Sequence, residues 1–299
     1  MKAFFTLCLL LVNTSLWAEC GSTSVAISVL GSGGPELSDQ RRSSGYIVWI
    51  DGSARLIVDA GAGTSIAFSE AGGQFEDLQG ILLTHLHVDH SADIPAFIKG
   101  SFFTPRDQDL PILGPDKNAV MPSTNEFIDR LISPNGAFSY LQSYHSASPS
   151  DDYKVLPFSV PASSTPFSHS FGNGLKASAV AVHHGPIAAL AWKVEAGGCA
   201  IVFSGDMSNE KNVLADFAKS ADLLVANNAV PAGAQGAAVN LHMLPEEIGQ
   251  IAKDSAAKKL LLSHFMSRSS SVQNETLSII KRHYQGPTVL AEDGMKIKL

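Results

Sequence analysis

The sequence predicts an α/β fold in a single large domain. Short apolar, β-rich runs alternate with helical patterns along most of the chain. No long linker, internal repeat or low-complexity tract interrupts them. A length of 299 residues with 45% hydrophobic content is enough for one substantial core, and it excludes collagen-like, disordered and polytopic membrane classes.

The first eighteen residues have the layout of an export signal. Lys2 supplies the positive start, Ala3 to Val12 form an apolar run broken only by Thr6, and Asn13 to Ala18 turn polar and small. A membrane-spanning helix needs about twenty apolar residues, so a cleaved leader is favoured over an anchor. Cleavage after Ala18 leaves one domain over residues 19–299 and a periplasmic or secreted destination. It also removes Cys8, leaving Cys20 and Cys199. In an oxidising compartment these two are expected to form a disulfide that ties the new N-terminus to the strand beginning near Ala200.

Three strands open the domain. Val25–Leu30, Gly45–Ile50 and Arg55–Val58 are separated by glycine-rich turns, the layout of antiparallel hairpins. Further apolar strands are expected at Gly80–Thr84, Ser178–Val182, Ala189–Val194, Ala200–Ser204, Leu223–Ala226 and Leu260–Ser263, several with helical stretches between them. Pro245–Ala257 is the clearest helix. It has proline in its first turn, Glu246 and Glu247 at the positive end of the dipole, and Ile248, Ile251 and Ala252 on one face. Residues 102–171 are rich in Pro, Ser, Phe and Tyr and read either as a cap over a site or as a long irregular excursion. Within them, Phe102, Phe103, Phe138, Tyr140 and Tyr144 offer rings for a substrate pocket or for core packing.

The chemistry concentrates in Thr84-His85-Leu86-His87-Val88-Asp89-His90, directly after the apolar run Ile81–Leu83. Neutral imidazoles and carboxylates are ligands that zinc and similar divalent ions accept. At a strand end His85 and His87 project to the same side, and Asp89 and His90 fall on the following turn, so one short segment can serve two adjacent metals. Three later segments repeat the pattern of apolar run and then ligand. They are Val182-His183-His184-Gly185, Phe203-Ser204-Gly205-Asp206 and Leu262-Ser263-His264-Phe265. Each alone is weak; together with the first motif they place a ligand set along one rim of a sheet.

This set resembles the metallo-β-lactamase superfamily, and within it the ribonuclease Z and arylsulfatase-like branch. The resemblance runs from Leu30-Gly31-Ser32-Gly33-Gly34-Pro35 and Asp59-Ala60-Gly61 through the four ligand motifs to the C-terminus. It implies an αββα four-layer sandwich, with two sheets packed face to face and helices outside. It also implies that His85, His87 and His184 hold one metal, that Asp89, His90 and His264 hold the other, and that Asp206 bridges them. His184 is preferred over His183 because it directly precedes Gly185. Asp59 would orient a ligand imidazole from behind. His242, before the Pro245 helix, would assist phosphodiester cleavage by neutralising transition-state charge or protonating the leaving oxygen. Arg268 would add an anion contact. The implied reaction is hydrolysis of an ester by a hydroxide shared between two divalent ions, most simply Zn2+, with Mn2+ or Fe2+ as alternatives.

Departures from ribonuclease Z narrow the expected substrate. The formal net charge is −7, only 16% of residues are charged, and the pairs Arg41-Arg42, Lys258-Lys259 and Lys281-Arg282 are short and scattered. That is no track for a long nucleic acid. Small phosphodiesters of cyclic-nucleotide or aryl type are therefore expected, with arylsulfate or another ester or β-lactam as alternatives, and a catalytically idle zinc-binding module as the reading from a different class. No membrane anchor is expected after signal cleavage, and a homodimer is left open. Other motif matches fail for lack of partners. Gly31–Pro35 lacks the Gly-Lys-Ser/Thr of a phosphate loop, and Ser208-Asn209-Glu210-Lys211 lacks the companion motifs of serine β-lactamases.

Overall fold

The computed structural model describes Gly21, residues 23–163 and residues 165–299. Residues 1–18, expected to be a leader, and Cys20 lie outside the described residues. Fourteen strands occur among the described residues: β1 Val25–Gly31, β2 Gly45–Ile50, β3 Ser53–Ala60, β4 Gly80–Leu82, β5 Leu110–Pro115, β6 Val155–Val160, β7 Phe167–Gly172, β8 Leu175–His184, β9 Ile187–Ala196, β10 Cys199–Phe203, β11 Leu223–Asn227, β12 Leu260–Ser263, β13 Thr288–Leu290 and β14 Lys296–Lys298. The α-helices are α1 Thr64–Glu70, α2 Val88–Ser91, α3 Ile94–Ser101, α4 Thr124–Ile132, α5 Leu214–Phe217, α6 Ala237–Leu241, α7 Pro245–Asp254, α8 Ser267–Ser270 and α9 Gln273–His283.

The strands form two seven-stranded sheets, in the orders β14-β1-β2-β3-β4-β5-β6 and β13-β12-β11-β10-β9-β8-β7. The opening strands β1, β2 and β3 pair antiparallel, as their glycine-rich turns predict. From β3 to β6 the first sheet is parallel, and from β10 to β13 the second is parallel as well. Parallel strands in one sheet deliver their C-terminal ends to one rim, where the His85, Asp206 and His264 motifs begin; the His184 motif begins at the end of β8, which pairs antiparallel with β7 and β9.

Strand periodicity divides the core into layers. Along β1, Ile27 and Val29 join a cluster that also holds Val48, Leu56, Val58, Leu82, Ala179, Trp192 and Phe203, so this cluster lies between the sheets. The alternate residues Ala26 and Leu30 join Ile47, Ile57 and Ile81 in a second cluster with Phe68, Phe97, Ile98, Ile128 and Ile132 from α1, α3 and α4. Helical residues Phe217, Ile248, Ile251, Ala252 and Ile280 pack with the second sheet. The result is the expected αββα sandwich. Direct hydrogen bonds cross between the sheets near the ligand rim. The Tyr46 hydroxyl donates to Ser263 Oγ at 2.7 Å, and the Trp192 indole N–H donates to the Leu83 carbonyl at 3.0 Å.

Residues 102–171 are neither a cap nor irregular throughout. They supply β5 and β6 to the first sheet, α4 to its outer face and most of β7 to the second sheet. The prolines obscured this: Pro111 and Pro115 sit in β5, and Pro157 sits in β6, which is an edge strand and can spare an N–H. The aromatic group divides between surface and core. Tyr144 is buried and Phe138 packs against the same outer core, whereas Phe102, Phe103 and Tyr140 are exposed. Helix α7 ends at Asp254, three residues before the expected Ala257, and Ala256 takes a left-handed φ of 52° that no helix can continue through. Strand β4 stops at Leu82 rather than Thr84, because the Thr84 N–H and hydroxyl are taken by Asp59 and its carbonyl by the Leu190 N–H. Among the described residues no helix is long and apolar enough to cross a membrane.

Leu82 is fully buried between the sheets. Leu82→Ala is expected to destabilise the fold by about 3 kcal/mol, the usual scale for such a cavity, read as a lower urea midpoint at unchanged slope.

Candidate metal centre

The site starts from a buried carboxylate. Asp59, near the end of β3, has a left-handed φ of 59° and is 1% exposed. Its Oδ1 accepts from the Thr84 N–H at 2.7 Å, and its Oδ2 accepts from the Thr84 hydroxyl at 2.9 Å and from His90 Nδ1 at 2.7 Å. Three donors satisfy a charge that would otherwise be costly to bury. The chain then turns at Gly61, where a Cβ would lie 2.1 Å from the Asp89 carbonyl oxygen, so only glycine lets β3 pass beneath the His85–His90 segment.

These bonds fix imidazole tautomers. A carboxylate can only accept, so His90 donates from Nδ1 to Asp59 and places its Nε2 3.1 Å from His264 Nε2. A backbone carbonyl likewise can only accept. His184 therefore donates from Nδ1 to the Leu241 carbonyl at 2.8 Å and presents its Nε2 lone pair 3.4 Å from His87 Nδ1. His85 Nε2, His242 Nδ1 and His264 Nδ1 are buried without a hydrogen-bond partner.

Three ligand groups emerge among the described residues, each with donor atoms within 4.8 Å of one another. They are His85, His87 and His184; Asp89, His90, Asp206 and His264; and His184, Asp206 and His242. Asp206 links them: its Oδ2 lies 3.9 Å from His184 Nε2 and 3.7 Å from His90 Nε2, and its Oδ1 lies 3.4 Å from His264 Nε2.

The electrostatics favour cations. Burial, helped by neighbouring imidazoles, holds His85 well below the usual imidazole range, which keeps it a neutral ligand. Burial pushes Asp206 and Asp89 upward, but the surrounding histidines outweigh it. Asp206 stays well below the usual carboxylate range and Asp89 falls to about 2. Converging ring nitrogens, orphaned buried nitrogens and two ionised carboxylates together make a cluster consistent with binding two metal ions, and its His and Asp donors fit zinc chemistry.

His183 and His184 follow the alternation of β8. His184 enters the cluster, while His183 turns away to Ser208 Oγ at 2.7 Å and to Glu210 at 3.3 Å. His242, just after α6, is 7% exposed with Nδ1 3.8 Å from Asp206 Oδ2. Arg268 is exposed and spends its Nε on the Ala229 carbonyl at 2.8 Å, although its charge still reaches His242. Cys199 is disulfide-bonded, and its expected partner Cys20 lies outside the described residues. Sequence reasoning passed over Thr84, which joins Asp59 to the ligand segment, and Asn227, which donates from Nδ2 to Asp206 Oδ1 at 2.7 Å. For Asn227 a signal was present, because it follows the apolar run Leu223–Ala226 just as the recognised ligands follow theirs.

The family model described as the beta-lactamase superfamily domain matches residues 54–265, well over half of the chain. The chain belongs to the beta-lactamase superfamily. Among superfamily relatives, ribonuclease Z of Haloferax volcanii is 27% identical over 315 aligned positions, covering 92% of this chain and 95% of the relative. The crystal structure of the metallo-beta-lactamase fold protein YhfI from Bacillus subtilis superposes with a TM-score of 0.67 at 23% identity, over 92% of this chain and all of that one. The crystal structure of human tRNase Z, short form, superposes with a TM-score of 0.69 at 20% identity, over 91% of this chain and 98% of that one. The fold is thus the metallo-hydrolase fold of the superfamily.

Asp59→Asn preserves shape but removes the charge behind His90. It is expected to weaken metal binding by about 10- to 100-fold, as loss of such a supporting partner commonly does. Competition against a chromophoric chelator measures this, and an unchanged affinity would deny Asp59 the role.

Proposed function

We propose that this chain is a dinuclear zinc phosphodiesterase acting on small phosphodiesters of cyclic-nucleotide or aryl type, exported through its leader to the periplasm or beyond the cell. The observation that carries the reading is the convergence of two ligand groups on one carboxylate, Asp206, with His242 beside it. When bound, the two ions would supply hydroxide near neutral pH and hold the oxygens of the ester.

The residues of the chain divide the remaining work. His85, His87 and His184 would hold one ion, Asp89, His90 and His264 the other, and Asp206 both. Asp59 keeps His90 Nε2 aimed inward. Burial pushes His242 down to about 4, against the pull of Asp206, and a nearby divalent cation acts in the same direction. His242 is therefore a neutral imidazole at pH 7, suited to donating an N–H hydrogen bond to an ester or leaving-group oxygen. Hydrolysis of phosphodiesters is supported by relatives named ribonuclease Z and tRNase Z. A small substrate, rather than a long RNA, is supported by the net charge of −7 and the lack of a basic tract in the sequence. A single domain over residues 19–299 and a small anionic ester as the only partner complete the reading, with a homodimer compatible with it.

Elemental analysis of the purified mature protein should find two metals per chain. The same sample should cleave an aryl phosphodiester faster than the matching phosphomonoester, arylsulfate or β-lactam. Chelation should abolish this turnover and added zinc or manganese should restore it. Two metals without turnover on any of the four substrates would sink the phosphodiesterase reading in favour of an idle module. His242→Ala should keep both metals and lose about 100-fold in turnover of the phosphodiester; unchanged turnover would remove His242 from the mechanism. N-terminal sequencing of the exported protein should begin at Glu19.

A further inference from the structure

We infer that Asn227 is a positioning residue for the metal centre, holding the Asp206 carboxylate at the angle from which it reaches both ligand groups. The inference rests on the dinuclear reading above and adds a residue outside the ligand set.

Asn227 is the last residue of β11 and is 4% exposed. Its side-chain Nδ2 donates to Asp206 Oδ1 at 2.7 Å, and because a carboxylate only accepts, the amide must face it with its N–H. The donor is itself anchored. The Asn227 backbone N–H donates to Ser204 Oγ at 3.1 Å, and the Ser204 hydroxyl donates to the Gly205 carbonyl, so Asn227 grips the loop that carries Asp206 at two points. On its other side Asn227 pairs in register with Ser263, the residue before His264, and Ser263 Oγ accepts from the Tyr46 hydroxyl of the opposite sheet. Asn227 thus stands between two ligand-bearing loops and joins them.

The residue type matters as well as the place. Asp206 makes contacts of 3.4 to 3.9 Å with four imidazoles, those of His90, His184, His242 and His264. None of these contacts is short enough to set the carboxylate plane by itself. The 2.7 Å bond from Asn227 can set it. An amide does so without neutralising the carboxylate, whereas Lys or Arg at the same point would compete with a divalent ion for its charge. A carboxylate there would repel Asp206. A neutral, rigid, buried donor is what a shared anionic ligand requires.

The test compares metal-free wild type, Asn227→Ala and Asn227→Thr. Threonine suits a strand and fills much of the space, but its hydroxyl is one bond too short to reach Asp206. Each protein is titrated with zinc against a chromophoric chelator, its cobalt form is examined by visible absorption, and its metal-free stability is measured in urea. Both variants are expected to bind at least one of the two zinc equivalents about 10- to 100-fold more weakly, with an altered cobalt spectrum and a metal-free urea midpoint close to wild type. Wild-type affinities for both equivalents in either folded variant would overturn the inference and leave the dinuclear reading standing. A loss of affinity accompanied by an equivalent loss of metal-free stability would also overturn it, by making Asn227 a structural residue. Fewer than two equivalents in the wild type would remove the dinuclear reading itself, and this inference with it.

Discussion

The buried carboxylate of Asp59 is the interaction on which the ligand rim depends. It sits at the end of β3, takes three hydrogen bonds, and by them holds both the start of the ligand segment at Thr84 and its last imidazole at His90. An anion this deep tolerates burial only while every donor stays in place. The same bonds that satisfy Asp59 therefore fix the path of residues 84–90 and the tautomer of His90. Thr84 extends the constraint across the sandwich, because its carbonyl accepts from the Leu190 N–H of the second sheet.

From that anchor the two sheets act as one scaffold. Parallel strands in each deliver Asp59, the His85–His90 segment, Asp206, Asn227 and His264 to the same rim, and the apolar layer between the sheets fixes the separation of the two halves. Ligands borne on strand ends backed by a close-packed core lose little conformational freedom on binding metal. The loops that follow can vary without disturbing them. This arrangement lets one ligand frame accompany different loops.

Charge inside the cluster is balanced by the cluster itself. Asp89 and Asp206 remain ionised among imidazoles, while burial keeps His85 neutral. The ring nitrogens of His90 and His264 come within 3.1 Å, and those of His184 and His87 within 3.4 Å. Neutral donors such as the Asn227 amide shape this arrangement without spending its negative charge.

The sequence by itself determined the α/β class, the strands that end in ligands, the clustered imidazoles of residues 84–90 and, through resemblance, the sandwich and its ligand frame. These are local signals: apolar runs of strand length, and polar residues placed directly after them. Tertiary structure alone decided the rest. Alternation along β8 separates His183 from His184, but only the packing of that strand between β7 and β9 says which face meets the rim. Residues 102–171 look irregular because prolines mask strands that are stabilised by pairing with β4 and with each other. Asn227 follows an apolar run, which marks it for the rim, but only the parallel pairing of β10, β11 and β12 sets it beside Asp206, 21 positions away in the chain.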